Sequence, residues 1–258
     1  MIIIKTDQEI ELIRQSNQLV LDTLAEMAGL IEPGVTTAYL DNIAEKFIRT
    51  NGGVPGFLGY NGYPKTLCTS VNSQVVHGIP SDYALKEGDI ISIDCGAILN
   101  GFYGDSAYTF AVGSIDPQIL RLMEVTKACL LRGLQEAIEG KKIGDIGYAV
   151  QSYAELNGFS VVREMVGHGL GKKLHEEPEV PNYGKMGSGI KLKKNMVLCI
   201  EPMINFGARN IVQEKDGWTI RTTDKKPSAH YELPVAIGEH SPVVLGSFDK
   251  IEAILNTR

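Results

Sequence analysis

The fold is decided by the stretch Asp89-Ile-Ile-Ser-Ile-Asp-Cys-Gly-Ala-Ile-Leu-Asn-Gly-Phe-Tyr-Gly-Asp-Ser-Ala-Tyr-Thr-Phe-Ala-Val112. Its two arms are rich in β-branched and aromatic residues, and an Asn-Gly pair lies between them. Asn-Gly is the strongest short-range signal for a two-residue hairpin loop, because both residues take the left-handed conformation that the loop requires. The pattern predicts an antiparallel hairpin in which Asp89–Gly96 turns through Asn100-Gly101 into Phe102–Val112.

One aspartate lies on each arm of this hairpin. With a two-residue loop, Asp94 pairs with Ala107, and Asp105 lies two residues from Ala107 on the same face of the sheet. Diagonal neighbours are about 7–8 Å apart, which suits two carboxylates that converge on a pair of metal ions. Asp94 also lies in the apolar run Ile91–Cys95, where an unpaired carboxylate would be costly. The alternative is that either aspartate caps a turn or faces solvent.

Before and after the hairpin, the chain shows the same order of predicted secondary-structure elements. Helical periodicity and its stop signals predict two helices before the hairpin and two after it. These helices run from an N-cap at Asp7 to Pro33-Gly34, from Thr36-Thr37 to Asn51-Gly52-Gly53, from Ile119 to Ile138, and from about Asp145 to Leu156. Strand-like segments are residues 66–80, Ser160–Val166, Met196–Ile204, Trp218–Thr223 and Ala229–Val235. The repeat predicts two similar α+β halves within one domain, residues 1–258, with a site between them.

Further polar residues interrupt apolar segments in the second half. His168 lies among glycines in Met165-Val-Gly-His-Gly-Leu-Gly171, and His175 follows seven residues later. Glu201 and Glu232 each lie in an apolar segment that is predicted to be a strand. Bound cations explain the repeated burial of carboxylates, because they offset the cost of desolvation. An oxygen-rich set with one imidazole favours Mn, Fe, Co or Zn over a thiolate site, although His168 alone could equally be a structural histidine.

The bulk composition describes an ordinary globular protein. The chain has 258 residues and a net charge of -6, which gives no sign of a basic surface for nucleic acid. Its four cysteines are scattered without a CxxC pair, so we expect buried, reduced thiols rather than disulfides or a cysteine zinc site. Charged residues follow directly after Met1-Ile-Ile-Ile4, and no apolar run is long enough to span a membrane. We therefore expect a cytoplasmic protein with no membrane association.

Six motifs occur in one order along nearly the whole chain. They are Gly59-Tyr-Asn-Gly-Tyr-Pro64, Val76-His-Gly-Ile-Pro80, Gly101-Phe-Tyr-Gly-Asp-Ser106, Gly167-His-Gly-Leu-Gly171, Ile200-Glu-Pro-Met203 and Ala229-His-Tyr-Glu232. In these motifs and in the eleven-residue spacing of its two aspartates, the chain resembles the methionine aminopeptidase family, most closely the type 1 bacterial form. The resemblance implies the α+β pita-bread fold, a pseudo-two-fold pair of α/β halves around a curved antiparallel sheet.

The resemblance also implies a mechanism. The five metal ligands would be Asp94, Asp105, His168, Glu201 and Glu232. Two divalent ions (Co, Mn, Fe or Zn) would share a hydroxide that attacks the scissile carbonyl, with Asp105 and Glu232 bridging the ions. Glu201 would also shuttle a proton, His175 would stabilise the tetrahedral intermediate, and His77 would contact the amide nitrogen of the scissile bond. The substrates would be the N-termini of nascent polypeptides whose second residue is small. We infer docking at the ribosome from this reaction, and we expect a monomer because the sequence has no heptad pattern or obvious dimerisation segment.

The methionine pocket of this family is apolar and aromatic. The matching positions are Tyr60, Tyr63, Cys68 and Trp218, with His77 at the edge. The chain departs from some relatives at Phe57, Asn61 and Leu174.

Two other functions are compatible with the same fold. One is a non-catalytic binding protein, which would be expected to have lost metal ligands. The other is a proline-directed peptidase, which would be expected to carry a separate N-terminal domain. The complete ligand set and the methionine-type pocket favour the aminopeptidase.

Overall fold

The computed structural model describes residues 1–257. Over this range the helices are α1 Asp7–Leu30, α2 Thr37–Thr50, α3 Pro117–Gln135, α4 Ile143–Leu156 and α5 Asp249–Leu255. The strands of the first half are β1 Val54–Pro55, β2 Leu67–Val71, β3 Gln74–Val76, β4 Ile90–Leu99 and β5 Phe102–Ala111. Those that follow are β6 Ser160–Val161, β7 Gly167–Gly169, β8 Glu176–Val180, β9 Val197–Ile200, β10 Met203–Asn205, β11 Ile211–Gln213, β12 Ile220–Thr222, β13 Ser228–His230, β14 Leu233–Ala236 and β15 Val243–Val244.

The predicted hairpin is the longest strand pair in this set. β4 and β5 pair from Ile90 with Ala111 to Leu99 with Phe102, so the loop is the two-residue Asn-Gly turn. Asp94 lies opposite Ala107, as the turn type predicts. β2 pairs with the other edge of β4. The hairpin therefore holds a carboxylate on each of its two strands with a fixed register.

The first helix packs directly on the hairpin. A Cβ atom added at Gly104 would lie 2.3 Å from the backbone nitrogen of Asn17, so only glycine allows α1 to come this close. The Asn17 side-chain oxygen accepts hydrogen bonds from the Asp105 backbone N–H at 3.1 Å and from the Ser106 hydroxyl at 2.9 Å. This contact fixes the backbone of β5 next to one of the candidate ligands.

The helices begin close to the positions expected from sequence, with small differences. The N-cap of α1 is Thr6 rather than Asp7, because Thr6 and Glu9 form a reciprocal capping box. α3 begins at Pro117 after an Asp116 N-cap, and α4 begins at Ile143. α1 packs on α2 and on the hairpin, while α3 packs on α4 and on β13 and β10. The repeated helix pair of the sequence is therefore present in the fold.

Two predicted strands are interrupted at their acidic residues. The segment Met196–Ile204 divides into β9 and β10 at Glu201-Pro202, since proline has no N–H for the ladder. Ala229–Val235 divides into β13 and β14 around Tyr231-Glu232. Glu201 and Glu232 thus lie at strand breaks and not in strand interiors, which corrects the sequence prediction. At the second break, the Glu232 N–H donates to the Ala107 carbonyl at 3.0 Å and joins the two halves.

Other strand predictions were too long. Residues 66–80 form two short strands separated by Asn72, whose φ of 53° turns the chain. Ser160–Val166 contributes only β6, and Trp218 precedes β12. All four cysteines are free and buried, as expected. Across residues 1–257, no helix is both long and apolar enough to cross a membrane.

Candidate metal centre

Every site residue predicted from the sequence lines one cavity of about 340 Å³. The cavity lies between the two halves, next to the backbone bridge between Ala107 and Glu232, which we call the seam. Its walls include the five candidate ligands together with Tyr60, Tyr63, Cys68, His77, His175 and Trp218. The three positions where the chain departs from some relatives, Phe57, Asn61 and Leu174, line the same cavity. The structure therefore brings together residues that are up to 175 positions apart in sequence, from Phe57 to Glu232.

The candidate ligands form a tight cluster at the floor of this cavity. The His168 Nε2 atom lies 3.5 Å from Glu201 Oε1 and 3.6 Å from Asp105 Oδ2. Ligand atoms of Asp105, His168 and Glu232, with the Cys199 thiol, all lie within 4.8 Å of one another. Asp94 reaches the cluster from the neighbouring strand, diagonal to Asp105 across the hairpin.

The glycines on either side of His168 allow the close backbone packing that orients its imidazole. A Cβ atom at Gly167 would lie 2.3 Å from the Cys199 carbonyl oxygen, and one at Gly169 would lie 2.4 Å from that of Glu177. The glycines therefore let β7 fit closely between β8 and β9. His168 Nδ1 lies 3.0 Å from the Gly169 carbonyl, which fixes the ring proton on Nδ1 and leaves the Nε2 lone pair facing the carboxylates.

Ionisation of the four clustered carboxyl groups is unfavourable without a cation. Burial raises the pKa of Asp94 to about 7, and burial with mutual repulsion raises the pKa values of Asp105, Glu201 and Glu232 well above the ordinary range. Within residues 1–257, Asp94 Oδ1, Asp105 Oδ1 and Glu232 Oε1 are buried without a hydrogen-bond partner. Unpartnered buried oxygens at this density call for a cation. Oxygen ligands with one imidazole fit a divalent ion such as Mn, Fe, Co or Zn.

Aromatic side chains form the wall above the ligands. The Tyr63 and Trp218 rings lie 5.1 Å apart, and the Trp218 and His77 rings lie 6.5 Å apart. Tyr60 contacts His175 through its hydroxyl, 2.8 Å from Nδ1. Cys68 pairs with Asp94 in the sheet, so it lies between the aromatic side chains and the candidate ligands. Such a pocket suits an apolar side chain.

One histidine of this cluster was not predicted as a site residue. His230 is 1% exposed, and its Nε2 atom lies 4.0 Å from a carboxylate oxygen of both Glu201 and Glu232. Two sequence signals could have found it: it belongs to the motif Ala229-His-Tyr-Glu232, and it lies two residues before Glu232, on the same side of an extended chain. A second contact was also not predicted. The side-chain amide of Asn182 donates a hydrogen bond to the backbone carbonyl of Glu201 at 3.0 Å.

Comparison with known proteins gives one consistent answer. Residues 11–237 match the model of metallopeptidase family M24. The chain is 49% identical to the methionine aminopeptidase of Clostridium acetobutylicum, over 95% of this chain and 98% of that protein. It is also 49% identical to methionine aminopeptidase 1 of Bacillus subtilis, over 93% and 96% of the two chains.

Solved structures agree with the sequence comparison. The methionine aminopeptidase of Rickettsia prowazekii superposes with a TM-score of 0.94 at 40% identity, covering 95% of this chain and 99% of that one. This match confirms the pita-bread fold and the resemblance stated from the motifs. The chain belongs to metallopeptidase family M24, among its methionine aminopeptidases.

Proposed function

We propose that the chain is a metal-dependent aminopeptidase that removes the initiator methionine from nascent proteins when the second residue is small. The observation that carries this proposal is that four carboxylates and His168 line one cavity. The wall of the same cavity includes the aromatic side chains of Tyr60, Tyr63 and Trp218. The close full-length relatives named methionine aminopeptidase support it. The non-catalytic alternative is not favoured, because all five candidate ligands are present and clustered.

Two divalent ions fit the ligand set. The residues that would hold them are Asp94, Asp105, His168, Glu201 and Glu232. When bound, such ions polarise the scissile carbonyl and lower the pKa of a water molecule. Their identity, Co, Mn, Fe or Zn, depends on availability as much as on these ligands.

The polar side chains around the ligands would carry the proton and the developing charge. The Glu201 carboxyl, whose pKa is raised by burial, is suited to take a proton from the attacking water and pass it to the leaving amine. The Tyr60 hydroxyl lies 2.8 Å from His175 Nδ1, and in the tautomer in which Tyr60 donates to Nδ1, the His175 Nε2–H would be free to donate to the carbonyl oxygen. Burial lowers the pKa of His77 to about 4, so His77 is neutral when it contacts the amide nitrogen of the scissile bond.

Substrate selection follows from the same cavity. The methionine side chain would lie against Tyr60, Tyr63, Cys68 and Trp218, with His77 at the edge. Residues 1–258 would act as one catalytic domain, as a monomer in the cytoplasm. Its partners would be the N-termini of nascent polypeptides, and docking at the ribosome follows from the reaction and not from a motif.

Methionine release from Met-Ala-Ser and Met-Ile-Ser tests the proposal. The enzyme is treated with chelator and assayed before and after adding back Mn, Fe or Co, with an Xaa-Pro peptide in parallel. We expect metal-dependent cleavage of Met-Ala-Ser alone. Glu201→Ala should lower this rate by about 100-fold or more, the usual contribution of a general acid–base group. Glu155→Ala, at an exposed position on α4, is the matched control and should be unchanged.

Three outcomes would contradict the proposal. Failure of a folded sample to cleave any peptide with any metal would favour a binding protein. Preferred cleavage of the Xaa-Pro peptide would favour a proline-directed peptidase. Equal cleavage of Met-Ala-Ser and Met-Ile-Ser would contradict the preference for a small second residue.

A further inference from the structure

His230 lies behind the candidate ligands and has no assigned role. It is 1% exposed, and its Nε2 atom is buried without a hydrogen-bond partner within residues 1–257. The same atom lies 4.0 Å from Glu201 Oε2 and 4.0 Å from Glu232 Oε2. Buried polar nitrogen atoms normally have a partner, so its position beside two carboxylates requires an explanation.

The backbone of His230 is held firmly in place. Its N–H donates to Thr109 Oγ1 at 2.9 Å, and the Thr109 hydroxyl donates to the His230 carbonyl at 2.7 Å. On its other side, β13 pairs His230 with Met203 of β10. The imidazole is therefore anchored to the β5 strand of the hairpin and to the second half of the molecule at once.

Glu201 lies between two imidazoles. His168 Nε2 faces Oε1 at 3.5 Å, and His230 Nε2 faces Oε2. His168 has its Nδ1 atom against a backbone carbonyl, so its Nε2 carries a lone pair and suits a metal ligand. His230 faces two carboxyl groups that are ionised when they bind a metal and then only accept hydrogen bonds, so its Nε2 is the atom that should carry the ring proton.

We propose that His230 is a positioning residue, whose Nε2–H donates to the carboxylates of Glu201 and Glu232 and orients them toward divalent ions. A small rotation of either carboxylate that moves its oxygen by about 1 Å would bring that oxygen within hydrogen-bond distance of His230 Nε2. Metal-ligating carboxylates are commonly held in this way by groups that do not touch the metal. The proposal rests on the metal centre proposed above and adds a residue outside its five ligands.

Titration of the chelated, full-length protein with Co²⁺ alone tests this role, with affinity measured by calorimetry. His230→Leu removes the donor, and we expect about 10–100-fold weaker Co²⁺ binding. His230→Gln places an amide N–H near the position of Nε2 and should bind within about threefold of the unsubstituted protein. His230→Asn ends too short to reach the carboxylates and should bind as weakly as His230→Leu. His240→Leu, at an exposed histidine, is the control.

The Gln and Asn variants keep the test valid if the leucine variant does not fold. Weak binding by His230→Gln as well would overturn the donor role, because it would show that the imidazole itself is needed. Equal binding by all variants would overturn the inference and leave the proposed function intact. Failure of the unsubstituted protein to bind Co²⁺ would overturn the metal centre together with it.

A second readout separates orientation from substrate binding. At saturating Co²⁺, His230→Asn should lower kcat for Met-Ala-Ser at least tenfold while KM stays within about twofold, because His230 does not line the methionine pocket. His230→Gln should restore kcat. A change confined to KM would contradict a role in orienting Glu201.

Discussion

At the residue scale, the role proposed for His175 depends on its contact with the Tyr60 hydroxyl, which lies 2.8 Å from Nδ1. The proposed role requires Tyr60 to be the donor in this hydrogen bond, so that the proton of the ring is on Nε2. Tyr60→Phe should lower kcat for Met-Ala-Ser about fivefold, since one such hydrogen bond is worth about 1 kcal/mol. Tyr39→Phe, on the exposed face of α2, is the control. Steady-state kinetics measure both, and an unchanged kcat in Tyr60→Phe would show that His175 needs no such partner.

The buried carboxylates predict how stability depends on pH when metal is removed. A carboxyl whose pKa is raised on folding gives full stability below its unfolded pKa and loses it as the pH rises through the folded pKa. For Asp94 these values are 3.8 and about 7, so the chelated protein should lose stability across this range. Added divalent ions should therefore raise Tm more at about pH 8 than at about pH 5.5. Thermal melts with and without Co²⁺ measure this, and a larger gain at pH 5.5 would contradict it.

Single residues differ in how well sequence predicts their place. The Asp94–Asp105 pair could be placed because one turn type fixes the register of both strands. Glu201 and Glu232 could be found as buried acids, but their strand breaks depend on Pro202 and on a bridge to β5 that is distant in sequence. The spacing of His230 from Glu232 indicates that the two side chains share a side of the chain, but the contact of His230 with Glu201 depends on tertiary structure.

At the element scale, the approach of α1 to the hairpin depends on Gly104. An added Cβ atom would meet the backbone of Ser16 and Asn17, which cannot move aside as a side chain can. Gly104→Ala should therefore destabilise the protein by about 1–3 kcal/mol, as overpacked cores do. Gly29→Ala is the matched control, because nothing lies within 4 Å of its added Cβ and alanine favours a helix. Urea unfolding compares the two, and similar stabilities would contradict the close packing.

Helices and the hairpin were predictable, whereas the short strands were not. Each long element carries its own periodicity and end signals, such as the Thr36 cap of α2. Strands of two or three residues have too few positions to show alternation, as β6 and β12 illustrate. Their boundaries are set by partners elsewhere in the chain and by breaks such as Asn72, which has a positive φ.

At the scale of the whole molecule, the proposed specificity can be tested on a peptide taken from the protein's own sequence. Residues 1–4 are Met-Ile-Ile-Ile, and Ile2 is large and β-branched, so we predict that the enzyme does not remove methionine from a synthetic peptide with this sequence. In the protein, a buried ion pair between Lys5 and Glu176 follows this segment, next to His175. Mass spectrometry should show no methionine release from the peptide, whereas the same peptide with Ile2→Ala should lose its methionine. Release of methionine from Met-Ile-Ile-Ile would count against the proposed specificity.

The two-halved plan of the molecule was predictable from the repeated helix pairs, but the contact between the halves was not. The halves meet where the Glu232 backbone bridges to Ala107, and the cavity lies at this seam. Its ligands come from both sides, with Asp94 and Asp105 in the first half and His168 in the second. A site of this kind is assembled only when both halves have folded.

The four buried thiols make the protein a reporter of its own unfolding. Cys68 and Cys95 lie in β2 and β4, Cys129 in α3, and Cys199 in β9, so they sample the sheets and helices of both halves. Burial raises the pKa of Cys129 to about 12 and those of the other three well above the usual range, so reactive thiolate is scarce in the native state. Iodoacetamide should label none of the three thiols outside the cavity, Cys95, Cys129 and Cys199, in the folded protein, and all four thiols in urea. The number of alkylated thiols, read by mass spectrometry, would then count unfolded molecules directly.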